Sequence, residues 1–146
     1  MGLAVDFIIP GEPRAWKRAA SNGAQRFTPA SQKRSQTDIG WIARQAGVRA
    51  TSGPVSVTIV SVFKPAQRLG VVLGAALHGR PVTTVPDADN CAKMILDALN
   101  GIAYLDDAQV ASLSVRKVYG PVAQTNVSVS GLPDGSAARL VEGVTR

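Results

Sequence analysis

The chain has 146 residues, with sixteen Lys and Arg against ten Asp and Glu, a formal net charge of +6, one histidine and one cysteine. That length suits one domain with a real core, and that charge suits a polyanionic partner. A single cysteine excludes an intrachain disulfide, and the longest apolar stretch, Leu69 to Leu77, is too short and too glycine-rich to span a bilayer.

In chain order, Leu3 to Ile9 is apolar and partly β-branched and predicts a strand, closed by Pro10-Gly11. The run has no positive flank and no cleavage site, so it does not read as a signal peptide, and the expected location is the cytoplasm. Glu12 to Pro29, punctuated by Pro, Gly, Asn and Ser, predicts a loop or loose hairpin. Ile39, Ile42, Ala43 and Ala46 fall at helical spacing and predict a helix over 31–50, with Ser31 as N-cap and Gly47 near its end. Pro54 to Phe63 alternates Val and Ile with Ser and Thr, the pattern of a strand. Residues 64–84, rich in Gly and Ala, read as a variable insert with a short helical turn. Asp89 to Leu99 predicts a helix with Ala92, Ile95 and Leu99 on one stripe and Asn100-Gly101 as its stop. Gln109 to Tyr119 and Thr125 to Ser130 predict two further strands, paired with each other antiparallel. Residues 132–146 are expected to form a flexible tail.

The order β-α-β-α-β-β implies an α+β fold, a two-layer domain over 1–131 with a mixed sheet and helices on one face. No internal repeat interrupts it.

Charge is distributed unevenly. Between Pro10 and Ala50 stand Arg14, Lys17, Arg18, Arg26, Lys33, Arg34, Arg44 and Arg49, against Glu12 and Asp38 alone. From residue 87 to 107 the sign reverses, with Asp87, Asp89, Asp97, Asp106 and Asp107 against Lys93. A basic surface with one acidic focus suits a metal nuclease better than a protein that only coats DNA. In an extended segment, Asp87 and Asp89 project to the same side with Cα atoms roughly 6–7 Å apart. Their oxygens can then serve a hard cation such as Mg²⁺, which uses one or two carboxylates together with water and phosphate oxygens. Asp106 or Asp107 would add a third carboxylate. Lys93 lies one helical turn beyond Asp89 and can face the same site.

Each part also has a plainer reading. Asp-Ala-Asp before a helix reads first as a cap, and Lys93 as an i,i+4 ion pair with Asp89 or Asp97. An EF-hand beginning at Asp87 is excluded, because Ala92 and Ala98 stand where Gly and Glu are needed. Cys91 reads as a small apolar helix residue, since no second thiol or nearby histidine completes a zinc site. His78, in the insert, is expected to have no chemistry. Trp16 is read either as packing or as a stacking platform for a base.

The longer pattern is more specific. Pro86-Asp87-Ala88-Asp89-Asn90, Lys93 and Asp97-Ala98-Leu99-Asn100-Gly101, followed by Asp106-Asp107-Ala108-Gln109-Val110, resembles the RusA family of Holliday-junction resolvases. Looser agreement extends to Arg26-Phe27-Thr28-Pro29 and to the Lys117-x-Tyr119 strand. The resemblance implies a homodimeric, Mg²⁺-dependent endodeoxyribonuclease, with Mn²⁺ as the alternative ion and no nucleotide cofactor. It would bind four-way DNA junctions and nick two strands of like polarity symmetrically, in recombination and repair. On the motif positions, Asp87, Asp89 and Asp107 would hold the metal and Lys93 would be catalytic. Asn90 and Asp106 would orient the site, and Asp97 would be structural. Arg14, Lys17, Arg18, Arg26, Lys33 and Arg34 are the expected DNA contacts. The sequence departs from the family in having no base in Pro81-Val82-Thr83-Thr84-Val85 just before the motif. Two other activities remain open at this point: a nuclease for flaps or forks, and a junction-binding protein without catalysis.

Overall fold

A computed structural model describes residues 4–17, 20–22, 25–27 and 30–133, with 20–22 and 25–27 described through their backbone course. Arg18 and residues 134–146 lie outside these, as does almost all of the expected tail. In chain order the elements are β1 (Val5–Pro10), β2 (Ala20–Asn22), β3 (Gln25–Phe27), α1 (Ala30–Gln45), β4 (Val55–Phe63), α2 (Gly70–Leu77), α3 (Ala88–Ala98), β5 (Val110–Tyr119) and β6 (Gln124–Gly131). β2 and β3 form the small hairpin expected of the basic segment.

The mixed four-stranded sheet has the order β1-β6-β4-β5. β4 is central, parallel to β5 and antiparallel to β6. Its alternation makes it so: Val55, Val57, Ile59 and Ser61 are buried on one face, while Thr58 on the other is exposed. The buried face packs with Phe7, Val127 and Val129 of the neighbouring strands, Ile39 and Ala43 of α1, and Met94, Ile95 and Ala98 of α3. The opposite face carries Asp6, Ile8, Thr58, Val60, Asn126 and Ser128.

The expected antiparallel pairing of the last two strands is wrong. β6 pairs with β4 and β1 instead, on the far side of β4 from β5. The physical reason is burial. β6 turns Thr125, Val127 and Val129 inward and fits an interior position, whereas β5 is largely exposed from Ala111 to Ser114 and suits an edge. The connection crosses the end of β4 at Gly120, whose N–H donates to Phe63 O at 3.0 Å. A Cβ at Gly120 would stand 2.5 Å from Val62 Cγ1, so the crossing needs glycine. Because β4 and β5 are parallel, their connection is a long crossover, and α3 supplies its helix.

Smaller departures concern helix ends. α1 begins at Ala30, so Ser31 is inside the helix, where its carbonyl accepts the Ser35 hydroxyl at 2.9 Å. The helix ends at Gln45 rather than near residue 50. The insert holds an eight-residue helix, α2, which leaves Val71, Val72 and Leu73 exposed.

α1 and α3 approach closely at Gly40. A Cβ there would meet Ile102 Cδ1 at 2.5 Å and the Ala98 carbonyl oxygen at 3.3 Å. Gly40→Val is therefore expected to lower stability by about 1–3 kcal/mol through overpacking, read from chemical denaturation. No loss would show that the Ile102 side chain and the Ala98 carbonyl give way without cost.

Candidate active site

The acidic motif begins where an irregular segment meets α3. Asp87 occupies the N-cap position with extended backbone, and its carbonyl accepts the Cys91 N–H at 3.1 Å. Its carboxylate makes no capping hydrogen bond and is exposed. A cap by position whose side chain does no capping is a carboxylate left free for other work. Asp89, in the first turn, is also exposed, and its Oδ1 accepts the Asn90 N–H at 2.9 Å. Both carboxylates stand at the positive end of the helix dipole, which favours negative charge there.

Asp89, Lys93 and Asp97 follow at i, i+4 and i+8 and line one face of α3. Lys93 Nζ lies 3.7 Å from Asp97 Oδ2 and 4.9 Å from the centroid of the Trp16 ring. The lysine therefore pairs with Asp97 rather than Asp89, and the pair is partly exposed and long. Trp16 is half-buried against the core, and its backbone N–H donates to the Asn90 backbone O at 2.9 Å, docking residues 13–17 on the start of α3. Of the two readings of Trp16, the structure shows packing, with Lys93 over its ring.

Asp106 and Asp107 lie past the other end of α3, which at eleven residues is ~16 Å long. The Asp106 carbonyl accepts the Gln109 N–H at 3.0 Å and closes the 3-10 turn that begins at Asp107, with Asp106 and Gln109 in capping-box positions. Gln109, which enters the sequence reading as part of the family pattern, fixes this turn. Its Oε1 accepts the N–H groups of Leu105 (2.8 Å) and Asp106 (3.0 Å), and its Nε2 donates to Thr51 O (2.7 Å) and Gly53 O (2.9 Å). The Asp106-x-x-Gln109 spacing, that of a capping box, was the available signal. Tyr104 is fully buried, and its hydroxyl donates to Leu96 O at 2.6 Å. Burial raises its pKa far above the ordinary value, and the negative charges of Asp107, Asp97 and Asp106 add to the rise. Asp106 and Asp107 thus follow the C-terminal end of α3, while Asp87 and Asp89 sit at its start.

Among the described residues no group of three or more His, Cys, Asp and Glu side chains is close enough to hold a metal ion together. The donor chemistry nevertheless fits a hard divalent cation. Asp87 and Asp89 offer oxygen only, and two carboxylates are a common protein share for Mg²⁺. The nearby sulfur does not compete. Burial pushes the Cys91 thiol above its ordinary value; the Ser61 hydroxyl and the Lys117 ammonium oppose this, while Asp87 and Asp89 add to it. The thiol is buried and protonated at neutral pH, which favours the carboxylate oxygens over the sulfur. His78 is exposed and follows the end of α2.

Basic residues border the motif. Arg14 and Lys17, both exposed, line a cavity of about 500 Å³ together with Val85, Pro86 and Met94, next to Asp87. Arg14 Nη1 donates to Ser35 Oγ at 2.7 Å, and the Lys17 N–H donates to Gln32 Oε1 at 2.7 Å. Lys33 and Arg34 are exposed on α1, and Lys33 shares a second groove with Trp41, Arg44 and Asp97. Arg26 is on β3, with its side chain outside the described residues, as is all of Arg18.

A family model described as "Endodeoxyribonuclease RusA" matches residues 10–130. A Bacillus subtilis (strain 168) protein described as "Uncharacterized protein YqaN" is 33% identical over 136 residues, which cover 86% of this chain and 94% of that protein. No helix among the described residues is long and apolar enough to cross a membrane.

Proposed function

The chain belongs to the RusA endodeoxyribonuclease family, and from that premise we propose that it is a Mg²⁺-dependent enzyme that resolves four-way DNA junctions by paired, symmetric nicks. The observation that carries this reading is the uncapped Asp87 carboxylate beside Asp89 at the start of α3, next to the rim of Arg14 and Lys17.

Asp87 and Asp89 would hold the ion, while Asp107, which the family pattern implies as a third ligand, stands apart from them past the other end of α3 in this chain. Asn90 orients Asp89 through its N–H, and Asp106 holds the turn that bears Asp107. When bound, the cation supplies polarisation of the phosphate and an acidified water. The rest falls to the chain. Lys93 contributes its ammonium to charge developing on the phosphoryl oxygens. Its pairing with Asp97 is long and partly exposed, so turning it toward substrate costs little. Arg14, Lys17, Lys33 and Arg34, with Arg18 and Arg26, contact backbone phosphates. Such contacts position DNA without reading sequence, and their affinity falls steeply with salt. Two cuts on a nearly two-fold junction call for two equivalent sites, which a two-fold homodimer supplies.

A panel of synthetic duplex, flap, fork and four-way junction substrates tests the choice of substrate. Faster cleavage of the four-way junction, at paired positions, is expected. Equal or faster cleavage of flaps or forks would move the activity to other branched DNA, and binding without any cleavage would leave a non-catalytic junction binder.

A further inference from the structure

The segment leading into the acidic motif is fastened to β5 in two ways. Up to Val82 the fastening is backbone pairing: Gly79 N–H to Tyr119 O at 2.8 Å, Tyr119 N–H to Arg80 O at 3.0 Å, and Val82 N–H to Lys117 O at 3.0 Å. Beyond Val82 a side chain takes over. Lys117 Nζ donates to Thr84 O and to Pro86 O, both at 2.7 Å. Pro86 immediately precedes Asp87. Lys117 is half-buried and makes no ion pair among the described residues.

We propose that Lys117 is a positioning residue for the metal site, holding the 84–86 backbone so that Asp87 meets the start of α3 in a fixed place. The inference rests on the metal-dependent reading above. Its logic is that a carboxylate at an N-cap is only as well placed as the chain entering the helix. Here that chain carries neither a capping bond from Asp87 nor ladder hydrogen bonds past Val82. Two charge-assisted hydrogen bonds from one ammonium substitute for both.

A purely electrostatic role predicts the opposite result, which makes the inference testable by sign. Lys117 is close enough to Cys91 for its charge to act on the thiol, as do the charges of Asp87 and Asp89. A cation beside a metal site repels the metal, so removing charge alone would tighten metal binding. Removing an anchor weakens it.

The experiment is Mn²⁺ binding to the free protein, followed by electron paramagnetic resonance, for wild type, Lys117→Met and Lys117→Arg, with junction affinity measured in EDTA. Lys117→Met is expected to weaken Mn²⁺ binding about tenfold and to slow cleavage at saturating Mn²⁺ by a similar factor, as outer-shell substitutions do. Junction affinity in EDTA should stay the same, and Lys117→Arg, which keeps donors and charge, should recover most of the loss. Unchanged or tighter Mn²⁺ binding by Lys117→Met overturns the inference and leaves the metal reading standing. A wild-type protein that binds no Mn²⁺ overturns both. Should Lys117→Met not fold, Lys117→Gln gives the same reading by the same sign.

Discussion

Asp87→Asn and Asp89→Asn are each expected to reduce junction cleavage by roughly a thousandfold or more while leaving the fold intact. The size follows from what the carboxylates do: losing one donor removes ion affinity and the transition-state charge stabilisation that depends on it. The intact fold follows from local geometry. The Asp87 carboxylate makes no capping hydrogen bond that Asn would lose, and the Asp89 oxygen accepts the Asn90 N–H, a role the Asn carbonyl can keep. Junction binding is expected to persist or tighten, because a negative charge facing phosphate is gone. Single-turnover cleavage of a labelled junction, beside filter binding in EDTA, measures both quantities. Rates within tenfold of wild type in both variants would remove the two aspartates from the chemistry. Asp107→Asn belongs in the same series. It lies past the C-terminal end of α3, so a wild-type rate there would exclude Asp107 from the donor set without touching Asp87 and Asp89.

Lys93→Ala carries the second large effect, a fall in cleavage rate of about a hundredfold, the scale for losing one preorganised stabilising group. Its cost in stability is expected to stay near 1 kcal/mol or below. A partly exposed i,i+4 ion pair contributes a few tenths of a kcal/mol, and a partly exposed lysine over an aromatic ring about 0.5–1 kcal/mol. Asp97→Asn separates the roles of Lys93. It removes the lysine's partner but keeps the ammonium, so near-normal cleavage is expected. If Lys93→Ala lowers only the melting temperature, by as much as Asp97→Asn does, the ion pair is the whole function of Lys93.

The sheet strands, both flanking helices and the acidic focus were legible in the sequence because each is carried by a local signal. β4 announces itself by period-two alternation, α3 by the Ala92, Ile95 and Leu99 stripe, and the motif by its spacing. The pairing of β6 was not legible. A hairpin between Gln109–Tyr119 and Thr125–Ser130 is the local solution, and only the burial demanded by β4 from both sides sends β6 across it. Gln109 and Lys117 stand in the family pattern, but their roles were not legible, for a related reason. Each acts on backbone groups far away in the chain, at Thr51 and Gly53 or at Thr84 and Pro86, and side-chain-to-backbone bonds of that range leave little mark on residue order. The lysine's partner was half legible, since i+4 spacing allowed Asp89 as readily as Asp97. The docking of Trp16 against Asn90 favours the C-terminal choice by setting an aromatic face beneath the ammonium.

The most direct measurement is cleavage of a synthetic four-way junction with its strands separately labelled, with and without Mg²⁺. The account predicts nicks in two opposed strands of like polarity at symmetric positions, dependent on the ion and lost in Asp87→Asn. Cleavage that persists in EDTA, or that survives in Asp87→Asn, would contradict it.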